Sequence, residues 1–201
     1  MTDQGTYLAD DLVLITKEAF TSMPWKNGLG VTQQIYLHKD AEGVRFRISQ
    51  AAVVKDGVFS DFAGLKRTLV LLSDTGMTLS HRNKLQQQYR HPLQKALDMA
   101  TFSGADQTVA ELHQGAIEDL NIMVRDKDSQ AQVQACYGLC TLHANTSSPA
   151  LLRAFYVHQD CELATNKKSY SIAQGSFVIL NEGMEVSLIT GQGVEIGIYA
   201  K

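Results

Sequence analysis

Two stretches of this chain place arginine beside small polar groups at alternate positions, Val44-Arg45-Phe46-Arg47-Ile48-Ser49 and Leu120-Asn121-Ile122-Met123-Val124-Arg125. In an extended strand, successive side chains point to opposite faces. Arg47 and Ser49 then share one face, and Asn121, Met123 and Arg125 share another. A guanidinium fork grips a carboxylate through two parallel bonds, and charge-assisted bonds are about twice as strong as neutral ones. Turned into a barrel mouth, such faces would bind a small anion; turned outward, they would be solvated sheet surface, as most arginines are.

Three further features could join them. The segment Met23-Pro24-Trp25-Lys26-Asn27-Gly28-Leu29-Gly30 holds the only tryptophan, with glycines that permit close backbone approach. It reads either as a strand-borne binding site or as a turn anchored by one buried aromatic. Lys26 would serve Schiff-base chemistry only if desolvated, and nothing near it in sequence signals that. Arg67 stands at the entrance to the apolar run Thr68–Leu72, as an edge residue or a cavity ligand.

Other chemistries lack local support. Six histidines include no His-x-His and no His-Glu-x-x-His, which argues against a metal centre. Cys136-x3-Cys140 resembles half of a metal site without its partner pair, and reads more simply as free thiols. Gly-x-Ser-x-Gly, the phosphate loop and Gly-x-Gly-x-x-Gly are absent, so hydrolase and nucleotide readings have no foothold. A formal charge of −3 over 201 residues argues against bulk attraction to nucleic acid or anionic membrane. The three cysteines and the absence of a leader-like N-terminus suit a reduced cytoplasmic compartment.

The elements that must position these residues are short and alternating. Leu12–Thr16, Thr32–Leu37, Val44–Val53, Thr68–Leu72, Met77–His81, Val109–His113, Leu120–Val124, Ala150–Val157, Ser169–Ala173, Phe177–Leu180, Glu185–Thr190 and Val194–Tyr199 all read as antiparallel strands. Ser73-Asp-Thr-Gly76, Asn181-Glu-Gly183 and Gly191-Gln-Gly193 read as tight hairpin links. Asn83–Met99 is expected to be loop and irregular strand, because Pro92 interrupts its four-residue periodicity. Asp126–Gln134 and Asn145–Pro149 read as connections. Many short strands at this spacing suggest an all-β sandwich or barrel.

In order, Met23-Pro-Trp-Lys-Asn-Gly, Phe46-Arg47-x-Ser49, Gly57-x-Phe59-Ser60-x-Phe62-x-Gly64-x-x-Arg67 and Asp119-x-Asn121-x-Met123-x-Arg125 resemble the HutD/Ves family over about residues 10–126. The resemblance implies a bicupin, two small antiparallel β-barrels of the RmlC-like cupin type packed together, without metal or cofactor. The expected division is 1–126 and 127–201, with strands open to exchange between the halves. It further implies ligand-binding roles for Trp25, Lys26, Asn27, Arg47, Ser49, Arg67, Asn121, Met123 and Arg125. The implied ligand is a small carboxylate such as formylglutamate, in a sensor or regulator linked to histidine utilisation or stress.

Departures from the family pattern are Leu29 for glycine, Gln33-Gln34 for Arg-Glu, Phe46 for Trp, Val58 and Ala63 for prolines, and Leu120 for Phe. Gln34 bears most on ligand choice. Two alternatives stand beside the sensor: a metal-free isomerase or lyase using Lys26, Asp119 or a histidine as base, and a protein-interaction module. The sequence leaves the oligomeric state open, a homodimer among the options; nucleic-acid and membrane partners are not expected.

Overall fold

A computed structural model describes residues 6–9, 12–25, 30–142 and 149–201 of the chain. Its strands are β1 (Thr6–Ala9), β2 (Leu12–Ile15), β3 (Thr21–Pro24), β4 (Val31–Asp40), β5 (Gly43–Val53), β6 (Gly57–Val58), β7 (Leu65–Leu71), β8 (Met77–Arg82) and β9 (Gln88–Leu93). They continue with β10 (Met99–Ser103), β11 (Gln107–Leu112), β12 (Ile117–Arg125), β13 (Ser129–Tyr137), β14 (Cys140–Leu142), β15 (Ala150–Thr165), β16 (Ser169–Ile172), β17 (Phe177–Leu180) and β18 (Val186–Ala200). One 3-10 turn, Lys17–Ala19, is the only helical element among the described residues. No helix there is long and apolar enough to cross a membrane.

The chain forms two compact units, residues 21–129 and residues 1–20 with 130–201. Residues 1–20 therefore belong with the C-terminal part, whereas the sequence division placed them with the N-terminal motifs. The cause is β2, whose Leu12–Ile15 pair with Leu180–Phe177 of β17.

Residues 21–129 hold a six-stranded antiparallel sheet, β10-β7-β12-β5-β4-β3, and a four-stranded one, β6-β11-β8-β9. Leu69, Leu71, Ala100 and Phe102 of the first cluster with Met77, Leu79, Leu93 and Ala110 of the second. That apolar layer fixes which face of each strand is interior. The remaining unit is one eight-stranded sheet, β1-β2-β17-β15-β18-β13, with β14 on β18 and β16 on β15. Its core gathers Leu12, Phe155, Val157, Leu163, Val178, Leu180 and Leu188.

Several expected elements differ. Asn83–Met99 contains regular β9, which tolerates Pro92 because it is an edge strand with an outer side free of ladder bonds. Asp126–Gln134 is largely strand β13 rather than connection. Gly191-Gln-Gly193 makes no hairpin: β18 runs straight through, with Gly191 at φ +89° where its register with β15 shifts. A Cβ at Gly191 would collide with the Asp160 carbonyl, so a bulge with glycine replaces the turn. Ser73–Gly76 and Asn181–Gly183 do turn the chain, yet β7 and β8 lie in different sheets and β17 and β18 are separated by β15.

Candidate functional site

The interior face of the six-stranded sheet carries a polar row across its apolar floor. Met123 of β12 stands opposite Arg47 of β5 on one side and Arg67 of β7 on the other. Phe102 of β10 stands opposite Arg67 in turn. One step along, Asn121 faces Ser49 and Leu69, and a further step brings Asp119 opposite Ala51 and Leu71. Neighbouring strands lie about 4.8 Å apart, so the Arg47 and Arg67 backbones are separated by roughly 10 Å with Met123 between them.

Arg67 is 4% exposed. Its guanidinium carbon lies 5.1 Å from the Phe59 ring centroid, 5.3 Å from Phe62 and 5.1 Å from Phe102, an aromatic cage of the kind that attracts desolvated cations. The Phe59–Gly64 loop, which follows β6, delivers two of the three rings. Its backbone is stitched down where Phe62 N–H donates to the Gly104 carbonyl and Gly104 N–H to the Leu65 carbonyl, at 2.9 and 2.8 Å. Gly104 is required there, since a Cβ would collide with the Phe62 carbonyl.

One Arg67 Nη donates to Asn121 Oδ1 at 2.5 Å, and Asn121 Nδ2 donates to an Asp119 carboxylate oxygen. This links a buried cation to a buried acid through one amide. Burial pushes the Asp119 carboxyl up to about 7, against the pull of Arg67 and the Asn121 bond. Burial likewise lowers Arg67 to about 10, with Arg47 adding repulsion. Arg47 is only partly exposed, its Nη2 reaches Met23 Sδ at 3.6 Å, and desolvation lowers it too. The Nε of Arg47 and the Nε of Arg67 are buried donors with no hydrogen-bond partner.

Next to the cage is an aromatic–imidazole cluster. His81, 2% exposed, packs against Tyr89 and Phe102 at 4.5 Å each. Its Nδ1 lies 2.9 Å from Thr108 Oγ1 and its Nε2 lies 3.0 Å from His91 Nδ1. Thr108 spends its own proton on the Asp106 carbonyl. His81 Nδ1–H therefore donates to Thr108, and His81 Nε2 accepts from His91. Burial and the second imidazole hold His81 down at about 4, so it is neutral near pH 7.

Trp25 is half-buried, packs against the barrel core and donates Nε1–H to Thr32 Oγ1 at 2.8 Å. Its own N–H donates to the Gly30 carbonyl. Lys26 and Asn27 lie outside the described residues. Arg47, Ser49, Arg67, Asn121 and Met123 thus come together on one face, with Trp25 on the same core. Arg125 does not join them. It donates Nε to Asp128 and its Nη atoms to Asp40, with Glu42 at 3.5 Å; the hydrogen bonds to Asp40 and Asp128 raise it further, and the Arg125 guanidinium in turn holds the Asp40 carboxyl below the usual range. It borders a cleft of about 640 Å³ with Glu42, Gly64, Leu65 and Lys127, which neither Arg47 nor Arg67 lines.

Reading of the sequence missed Phe102, His81, His91 and Thr108. The register of β10 with β7 brings Phe102 to Arg67, and the β8–β9 ladder brings together His81 and His91, ten residues apart in the chain. Asp119 was visible in its motif, but not its burial. Among the described residues, no group of three or more His, Cys, Asp and Glu side chains is arranged to hold a metal.

The HutD family model matches residues 17–196. An uncharacterized 21.2 kDa protein in the hutC 3′ region of Pseudomonas putida is 32% identical over 71% of this chain and 74% of its own. Protein Ves of Citrobacter koseri is 32% identical over 55% of this chain and 56% of its own length. HutD from Pseudomonas fluorescens SBW25 superposes with a TM-score of 0.79 at 24% identity, covering 94% of this chain and 99% of that one. A cupin 2 conserved barrel domain protein from Leptotrichia buccalis gives 0.53 at 10% identity over 94% and 96%, a likeness of fold alone. With this cupin-like β architecture and a family match spanning most of its length, the chain belongs to the HutD family.

Proposed function

We propose that the barrel formed by residues 21–129 binds a small carboxylate and acts as a metal-independent sensor or regulator. The observation that carries this reading is the pair of interior guanidinium groups flanking Met123, each with a buried, unpaired Nε–H. A buried donor left without an acceptor costs about 1–3 kcal/mol, which an incoming carboxylate recovers by accepting from it. Arg47 is the receiving group, being the more accessible. Arg67, held in its cage, is the fixed one. Ser49 and Asn121 orient the anion, and Met123 with Trp25 supplies apolar wall.

The histidine-utilisation link rests on the hutC-region description of the Pseudomonas putida relative and on the HutD name of the structural neighbour. A formylglutamate-like ligand is one compound of the proposed class. Titration calorimetry with formylglutamate, glutamate and formate tests the site. Binding that weakens by about 2–5 kcal/mol in both Arg47→Ala and Arg67→Ala supports it, and unchanged affinity in both rejects it.

The Asp119 carboxyl favours a second reading, a metal-free isomerase or lyase in which Asp119 moves a proton. Turnover of a bound carboxylate that disappears in Asp119→Asn while binding persists would select it.

A further inference from the structure

We infer that β13 is a self-complementary sheet edge through which two copies of this chain join, antiparallel, about a two-fold axis at Val133. β13 ends the eight-stranded sheet, hydrogen-bonded to β18 on one side. Terminal strands leave a row of backbone donors and acceptors open to another chain unless they are shortened, charged or interrupted by proline. The other strands ending the three sheet orders are guarded in these ways: β1, β3, β6 and β10 span four, four, two and five residues, β3 contains Pro24, and β9 carries Arg90, His91 and Pro92. β13 spans nine residues, Ser129–Tyr137, with no proline and no charge, and the uncharged run continues to Leu142.

The occupant follows from the order of the residues. Val133 is the midpoint of the strand, and Ala131-Gln132-Val133-Gln134-Ala135 reads the same in both directions. An antiparallel copy centred on Val133 overlaps all nine residues. It sets Gln132 opposite Gln134, Ala131 opposite Ala135, and Val133 opposite itself, the isologous pattern a two-fold axis demands. Gln132 and Gln134 are exposed, so amides meet amides on one side, with exposed Gln130 opposite the buried Cys136 of the other copy, while half-buried Ala131, Val133 and Ala135 meet on the other side. Exposed Tyr137 and, just beyond the strand, Leu139 at 79% exposure extend the same edge. A foreign peptide would gain the backbone bonds but not this register.

Sedimentation velocity and crosslinking on the full chain test the assignment. The wild type is expected to sediment as a dimer at roughly tens of micromolar. Gln132→Lys with Gln134→Lys places lysine opposite lysine twice per interface and should weaken the dimer roughly tenfold or more. The lysine introduced at position 134 keeps a donor for Glu195, which now accepts from Gln134, so the sheet itself is not disturbed. Gln132→Glu with Gln134→Lys places opposite charges in the same positions and should restore the dimer. Val133→Cys should form a disulfide between copies on oxidation by glutathione disulfide, two thiols losing their protons and two electrons to the oxidant, which becomes two glutathione thiols. A monomeric wild type overturns the proposal. So does a dimer indifferent to the two charge patterns, or one in which Val133→Cys yields no crosslink between the two copies of position 133.

Discussion

At the residue scale, the arrangement around Arg67 shows how one cation can be buried without a direct acid partner. Three phenylalanine rings supply cation–π attraction, and Asn121 passes the remaining need to Asp119. The arrangement has a signature in pH. The folded carboxyl of Asp119 holds its proton up to about pH 7, whereas an unfolded aspartate releases it near 4. Between those values the folded chain binds more protons, so Asp119 lowers stability as pH rises through that window. Asp119→Asn removes the titration. Its melting temperature should therefore be flatter than the wild type's between about pH 4 and 7, the difference amounting to a few kcal/mol. Parallel thermal curves for the two proteins would show that Asp119 ionises freely. Phe102→Leu tests the cage itself: loss of a ring that touches both Arg67 and His81 should destabilise by about 1–3 kcal/mol, read from urea midpoints.

At the scale of elements, the bulge at Gly191 decides whether β18 is one strand or two. Gly191 has φ +89°, and a Cβ there would meet the Asp160 carbonyl and the Cys161 side chain. Gly191→Ala should cost about 1–3 kcal/mol and lower the melting temperature, because the strained conformation and the contact must both be relieved. This position also shows where legibility ends. Alternation identified most strands correctly, since an apolar residue at every second position has only one way to bury itself in a sheet. A glycine pair between two alternating runs, however, suits a hairpin and a bulge equally, and the difference lies in whether a partner strand as long as β15 runs alongside. For the same reason Arg47, Ser49, Asn121 and Met123 could be grouped by parity within each strand, yet their meeting depended on β12 lying between β5 and β7. Arg125 obeyed the same parity and still left the group, because Asp40 and Asp128 reach it from beyond its own strand.

At the scale of the whole molecule, the chain's order and its two compact units do not coincide. The first described strands complete the sheet of the C-terminal unit, so a substitution near the N-terminus acts on residues more than about 150 positions away in sequence. Leu12 is fully buried, belongs to that unit's core and pairs with Leu180. Leu12→Ala should destabilise by about 2–5 kcal/mol, the range for removing a buried leucine side chain. Hydrogen exchange gives the more telling readout. Amides of β17 and of β15 at Ala154–Tyr156, to which β17 is laddered, should lose protection first, because they share the sheet that Leu12 helps to anchor. Amides of β5 and β12 should keep theirs, since Ile48 and Leu120 belong to the other unit. Carboxylate binding, which we propose for that other barrel, should survive the substitution at temperatures where the C-terminal unit has begun to open. Simultaneous loss of protection in β5, β12 and β17 would instead show that the two units unfold as one cooperative body, and that the proposed site draws its rigidity from the entire chain.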